Sequence, residues 1–149
     1  MKTLKYYLKV LPSNDSNLYS IYRKIGSLLF QQNTFNEAQE YFKNALNIAL
    51  HSSKFNYLHI DNLYRYIGDT YRKSGLFYEA LQHYQIALQI ELDHCPCHYP
   101  LIAKTYGKIS NILYCMNDFK TALSFYEKTL KIQKQFLPPN HIMLALTNY

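Results

Sequence analysis

The chain has 149 residues, of which 48% are hydrophobic and 17% are charged, and its formal net charge is +6. This length fits one domain or one stretch of a repeat array, and the composition excludes a disordered or fibrous protein. Three cysteines are too few for a disulfide framework, and the sequence lacks the run of apolar residues that a transmembrane helix needs. The positive charge favours acidic partners, nucleic acid or anionic membranes.

The N-terminal stretch MKTLKYYLKVLPSND has no apolar segment long enough for a secretory signal. Its apolar residues between Leu4 and Leu11 are spaced like the last turns of a helix, and Pro12 would stop that helix. We therefore expect residues 1–15 to be the remnant of a preceding helix with its connector. A cytoplasmic protein is the expected default.

A 42-residue pattern then repeats three times. Small residues recur at Gly26, Gly68 and Ser110, and each follows a tyrosine by four positions. The second half of each unit aligns equally well, at Phe35, Phe77 and Phe119, at Ala38, Ala80 and Ala122, and at Phe42, Tyr84 and Tyr126. Both halves have the apolar spacing of an amphipathic helix. The sequence thus predicts helices at residues 16–32, 35–51, 58–74, 77–93, 100–116 and 119–136.

The break between the two helices of each unit repeats as well. Asn33, Gly75 and Asn117 occupy one register position, and these residue types tolerate the left-handed conformation that ends a helix. Thr34 and Asp118 follow as predicted N-caps of the next helix. Prolines at Pro96 and Pro138 mark connectors between units, since proline stops the helix before it.

The middle unit, Asp61–Leu92, resembles the tetratricopeptide repeat, because Tyr64, Ile67, Gly68 and Tyr71 and then Ala80 and Tyr84 have that motif's spacing. The resemblance implies an all-α fold, a right-handed solenoid (α-α superhelix) of helical hairpins. The expected units are 16–57, 58–99 and 100–141, with 142–149 as the start of a truncated fourth repeat. The 42-residue period and the connector Leu137–His141 are similar to those of the kinesin light chain subclass.

In tetratricopeptide folds the first helix of each hairpin lines a concave groove. The resemblance therefore assigns peptide binding to the polar positions of these helices, and basic residues outnumber the single acid there, which predicts a basic groove for an acidic or carboxylate-bearing peptide. The predicted groove residues are Arg23, Ser27, Asn62, Arg65, Asp69, Arg72, Lys104, Lys108 and Asn111.

Arg23, Lys104 and Lys108 fall where chaperone-binding tetratricopeptide domains carry the basic residues of a carboxylate clamp. The two asparagines of that clamp are replaced by Ser27 and Tyr66, which argues against binding of a chaperone tail.

The run His94-Cys95-Pro96-Cys97-His98 has the residue types of a zinc site, yet four ligands within five residues cannot close round one ion. We interpret it as a connector and expect no metal and no cofactor. No phosphate-binding loop or hydrolase motif occurs, so the sequence predicts a protein that is not an enzyme.

The leading interpretation is thus a non-catalytic scaffold with a protein or peptide partner, and with no membrane partner. One alternative is the repeat tail of a larger enzyme, since such arrays resemble the C-terminal regions of some arginine-specific ADP-ribosyltransferases. Another is a basic helical-repeat RNA binder, but the polar positions lack the one-base-per-repeat pattern of such readers, so a nucleic-acid partner is disfavoured.

Overall fold

The structure, a computed structural model, describes residues 16–94 and 96–136. Over these ranges the chain forms helices and no strand. The helices are α1 (Ser16–Gln31), α2 (Phe35–Leu50), α3 (Tyr57–Lys73), α4 (Phe77–His94), α5 (Tyr99–Cys115) and α6 (Phe119–Phe136). Each helix predicted from the sequence is confirmed to within one residue at both ends. The predicted earlier helix in residues 1–15, and the connector and fourth repeat beyond residue 136, lie outside the described residues.

The tight turns inside the hairpins form as predicted. Asn33, Gly75 and Asn117 have φ values of 62°, 78° and 63°, in the left-handed region. The residue after each turn donates its N–H to a carbonyl five positions back in the first helix, as Leu76 does to Tyr71 at 3.0 Å. These bonds satisfy carbonyls that the helix end leaves free.

The two predicted caps have different outcomes. Oδ1 of Asp118 accepts from the N–H of Thr121 at 3.2 Å, so Asp118 caps α6 as predicted. Thr34 makes no such bond to α2, and the prediction of a side-chain cap there is wrong. Its hydroxyl instead donates to the carbonyl of Leu29 at 2.9 Å, which holds the side chain at the end of α1 rather than over the free N–H groups of α2.

The helices of each hairpin cross closely at the small residues. A Cβ on Gly68 would lie 2.7 Å from Cε1 of Tyr84, and one on Gly26 would lie 2.8 Å from Cε1 of Phe42. The aromatic ring of the second helix therefore fills the space that a side chain on the first helix would need. Ala80 and Ala87, on the same side of α4 as Tyr84, are fully buried, so small residues of the second helix also lie in the hairpin core.

Successive hairpins stack through a continuous core. In the second and third hairpins the first helix packs on its own second helix and on the second helix of the preceding hairpin, so α3 contacts both α2 and α4, and α5 contacts both α4 and α6. Leu63 and Ile67 of α3 share one buried cluster with Phe42 and Ala45 of α2. This arrangement is an all-α solenoid, and it brings α3 and α5, the first helices of two neighbouring hairpins, side by side.

Gly68→Ala tests the close crossing. Alanine is the better helix former, yet its methyl group would overlap the Tyr84 ring, so we expect the free energy of unfolding to fall by about 1–3 kcal/mol. Gly107 provides the matched control, because a Cβ there meets no atom within 4 Å. Gly107→Ala should raise the stability by roughly 0.5–1 kcal/mol. Urea unfolding of both variants measures the difference, and equal stabilisation by both substitutions would contradict the crossing.

Candidate functional site

A cluster of charged side chains joins α3 to α5. Nζ of Lys108 on α5 lies 2.5 Å from Oδ1 of Asp69 on α3, and Nε of Arg72 lies 4.0 Å from the same oxygen. Lys104 lies one turn before Lys108 on α5, so it shares this helix face. We call these four residues (Asp69, Arg72, Lys104 and Lys108) the basic cluster, and all four were predicted from the sequence to line the groove.

Tyr84 holds the acid of the basic cluster in place. Its hydroxyl donates to Oδ1 of Asp69 at 2.6 Å. Burial raises the pKa of Tyr84, and the negative charge of Asp69 and the hydrogen bond to it raise that pKa further. Tyr84 therefore remains a neutral donor. The third hairpin repeats the arrangement, since the hydroxyl of Tyr126 donates to Oδ1 of Asn111 at 2.5 Å.

The basic cluster carries more positive than negative charge. Burial lowers the pKa of Lys108, Asp69 raises it, and the charges of Lys104 and Arg72 lower it again. Lys108 and Arg72 thus share one carboxylate, and the positive charges of Arg72 and Lys104 both act on Lys108. An added anion would be favoured here, because it would offset this repulsion.

The remaining predicted groove residues spread along the first helices. Arg23 is half-buried on α1, and its backbone carbonyl accepts from the hydroxyl of Ser27 at 3.0 Å. Asn62 and Asn111 are exposed, on α3 and α5 respectively. The structure therefore does not bring Arg23 or Ser27 into contact with the basic cluster through any hydrogen bond or ion pair described.

Arg65 needs a correction. The sequence predicts it on the open groove, but its side chain is only 8% exposed. Its guanidinium donates to both carboxylate oxygens of Asp61, at 3.2 and 3.1 Å, and to Oδ1 of Asn62 at 2.7 Å. The i, i+4 spacing of Asp61 and Arg65 was the sequence signal for this pair. A charge held in this way is not available to a ligand.

A second carboxylate completes this buried ionic cluster. Glu91 of α4 is fully buried, its Oε1 lies 3.7 Å from Nε of Arg65, and it accepts from the hydroxyl of Thr105 on α5 at 2.6 Å. Its other oxygen, Oε2, has no hydrogen-bond partner. The cluster therefore connects α3, α4 and α5. Sequence reasoning missed Glu91 because the register positions of the other units hold Ala49 and Gln133.

Charge balance explains the protonation of Glu91. One guanidinium cannot neutralise two buried carboxylates, so one of them favours its neutral form. Burial raises the pKa of Glu91 to about 8, the hydroxyl of Thr105 lowers it, Asp61 raises it and Arg65 lowers it. When Glu91 is protonated, Asp61 and Arg65 form a neutral pair beside a neutral acid.

No group of three His, Cys, Asp or Glu side chains able to hold a metal ion occurs among the described residues. Cys95, the centre of the His–Cys run, lies outside them, and Cys97 is an exposed free thiol. Over the same ranges no helix has the length and apolar character needed to cross a bilayer.

The sequence matches two models of the tetratricopeptide repeat, one over residues 59–135 and the other over residues 19–51. The first match alone covers more than half of the chain. The chain belongs to the tetratricopeptide repeat family. This confirms the resemblance seen in the middle unit, and the two matches together cover the three hairpins. No curated protein matches the sequence.

Solved structures agree with this family. BtubC from P. vanneervenii superposes with a TM-score of 0.74 at 18% identity, over 82% of this chain and 48% of BtubC, so this chain spans about half the length of that relative. A kinesin light chain-like protein with nearly identical repeats, from Podosopora anserina, superposes with a TM-score of 0.76 at 13% identity. The match covers 90% of this chain and 64% of that protein's chain. At such identities the likeness shows the fold alone.

A third structure contains a bound segment of another protein. PcrH, solved in complex with the chaperone-binding region of PopB, superposes with a TM-score of 0.68 at 13% identity. The match covers 90% of this chain and 94% of PcrH. The tetratricopeptide repeats of this chain thus share their fold with a protein that binds a polypeptide segment.

Glu91→Gln tests the buried ionic cluster. The folded protein raises the pKa of Glu91 from 4.5 to about 8. The contribution of Glu91 to the free energy of unfolding of the wild type should therefore be greatest below pH 4.5 and should be lost as the pH rises through 8. Glutamine cannot ionise, so the free energy of unfolding of the variant should lack the part of this decrease that comes from Glu91. The measurement is the free energy of unfolding between pH 5 and pH 9 for both proteins.

Glu127→Gln on the exposed side of α6 is the control for this experiment, because it removes one carboxylate from the surface. It should leave the pH dependence of the wild type unchanged. Parallel curves for wild type and Glu91→Gln would show that Glu91 ionises in the folded protein as it does in the unfolded one.

Proposed function

We propose that this chain binds an acidic peptide segment along α3 and α5, without catalysis, and that the basic cluster attracts and orients that segment. The tetratricopeptide fold indicates a protein-interaction scaffold. The observation that supports the finer proposal is the local charge: Lys108 and Arg72 share the single carboxylate of Asp69, and Lys104 adds a third positive charge that acts on Lys108.

The three cations would contribute differently. Lys108 already has Asp69 as its partner, so it would act on a ligand mainly through its field. Arg72 is more exposed and more distant from Asp69, and its planar guanidinium can donate two hydrogen bonds to a carboxylate. Lys104 is exposed on α5 and would supply a second contact. The ligand carboxylates should therefore lie nearest Arg72 and Lys104.

The exposed amides beside the basic cluster suit a peptide ligand. Asn62 and Asn111 retain their amide N–H groups as donors while their oxygens accept from Arg65 and Tyr126. Such donors can bind the carbonyls of an extended peptide. We infer a ligand that presents acidic side chains together with accessible backbone, and the complex of PcrH with a segment of PopB supports a polypeptide as the ligand class.

We further propose that this binding takes place in the cytoplasm. Cys97 and Cys115 are exposed free thiols, which suits a reducing compartment.

Charge reversal tests the proposed ligand site. An extended peptide rich in Asp and Glu should bind the wild type, and its counterpart with Asn and Gln should bind at least about tenfold more weakly, a difference of about 1.4 kcal/mol. Arg72→Glu and Lys104→Glu should each weaken binding of the acidic peptide by a similar factor. Fluorescence anisotropy measures the affinities, which should fall as salt is added.

Lys134→Glu, an exposed lysine near the end of α6, makes the same charge change outside the basic cluster and should weaken binding far less. An equal loss of affinity for the acidic peptide in all three variants would mean that binding depends only on the net charge of the protein. Equal affinity for both peptides would contradict an acidic ligand. Circular dichroism shows whether each variant keeps its helices.

A further inference from the structure

Asp69 is the acid among the predicted groove residues, and cations of two helices lie close to it. Nζ of Lys108 lies 2.5 Å from its Oδ1, and Nε of Arg72 lies 4.0 Å from the same oxygen. The hydroxyl of Tyr84 donates to that oxygen as well, at 2.6 Å. Asp69 therefore makes, from inside the chain, the contacts with cations that a ligand's carboxylate would make.

The stacking of hairpins does not require an ion pair at this place. One repeat earlier, the residues equivalent to Asp69 and Lys108 are Ser27 and Tyr66. The ring of Tyr66 stacks there on the ring of Phe42, with 5.0 Å between the ring centres and 9° between the planes. The first two hairpins thus pack together at this position without a charge on either side.

The third hairpin shows that an amide can take the place of the carboxylate. Asn111 has the register position of Asp69 and accepts from the hydroxyl of Tyr126, as Asp69 accepts from that of Tyr84. An uncharged side chain therefore keeps the hydrogen bond between the two helices of a hairpin. What the carboxylate of Asp69 adds is its negative charge.

The charge of Lys108 depends on a nearby acid. Its side chain is 22% exposed, and its ammonium group lies 5.4 Å from the centre of the Tyr84 ring. Burial lowers the pKa of Lys108, whereas the charge of Asp69 and the hydrogen bond to it raise that pKa. A ligand's carboxylate would stabilise the ammonium group in the same way, but it has to compete with Asp69 for it.

We propose that Asp69 is an internal competitor for the acidic groups of the ligand, and that it determines how much negative charge a ligand must carry to bind. It holds Lys108 and offsets one of the positive charges of the basic cluster. A ligand with a single acid gains little from the charge that remains, whereas a segment with several acids can contact Arg72 and Lys104 together. This inference rests on the proposed function, because it concerns the same ligand and the same site.

Asp69→Asn tests the competition. Asparagine keeps an acceptor for the hydroxyl of Tyr84, so the helices should stay in place. The acidic peptide should bind this variant about fivefold or more tightly than it binds the wild type, because Lys108 becomes available to it. The counterpart peptide with Asn and Gln should bind both proteins alike. Fluorescence anisotropy measures the four affinities, and circular dichroism shows whether the variant keeps its helices.

Three further variants sharpen this experiment. Asp69→Ser introduces the residue type that the first repeat has at this position, and it should give a similar gain. Asp93→Asn makes the same charge change at an exposed position of α4 and should raise the affinity for the acidic peptide far less. In a protein that carries Lys108→Gln, adding Asp69→Asn should raise the affinity by a smaller factor, because the cation that Asp69 holds is already absent.

The outcomes distinguish the role of Asp69 from the proposed function. If the wild type prefers the acidic peptide and neither substitution of Asp69 tightens binding, the proposed function stands and the competition is overturned. A preference for the acidic peptide that occurs only without Asp69 would support the competition and contradict the function proposed for the wild type. If none of the proteins prefers the acidic peptide, both are wrong.

Two further results would also overturn the competition. One is an equal gain in affinity from Asp69→Asn and Asp93→Asn, since Asp69 would then act only through the net charge of the protein. The other is an equal gain from Asp69→Asn with and without Lys108→Gln, since Asp69 would then not act by holding Lys108.

Discussion

The contact of Tyr84 with Gly68 is the constraint on which the rest of the second hairpin depends. The missing side chain at Gly68 lets the Tyr84 ring cross over α3, and the crossing carries the tyrosine hydroxyl to Asp69, the next residue along. Asp69 in turn binds Lys108 of the following hairpin. One close helix crossing therefore sets the hairpin angle, the position of the acid and the approach of α3 to α5.

The charged residues of the solenoid form two clusters, of which one is buried and compensated and the other presents positive charge to a ligand. The ionic cluster of Asp61, Arg65 and Glu91 is buried and internally compensated, so it connects three helices and presents no charge to solvent. The basic cluster is only partly compensated and keeps an excess of positive charge where two first helices meet. Burial, rather than residue type, decides which arginine or lysine can attract a ligand.

The same stacking contact accounts for both the stability of the array and its exposed ends. In a solenoid each hairpin contacts only its neighbours, so every internal face is covered and each terminal face is not. At the α1 end, Leu28 is 59% exposed, whereas its register equivalents Thr70 and Ile112 are buried inside the array.

The sequence by itself determined the six helices, the left-handed turn residues and the recurring small residues, because these follow from local spacing that recurs every 42 residues. It also placed Asp69, Arg72, Lys104 and Lys108 on the first helices. Only the tertiary structure decided that Arg65 is buried, because that depends on Glu91 and Thr105 from two other helices. It alone showed that Asp69 binds Lys108, 39 residues away in the chain. Repetition specifies the scaffold, whereas charge pairing between repeats depends on residues that differ from one repeat to the next.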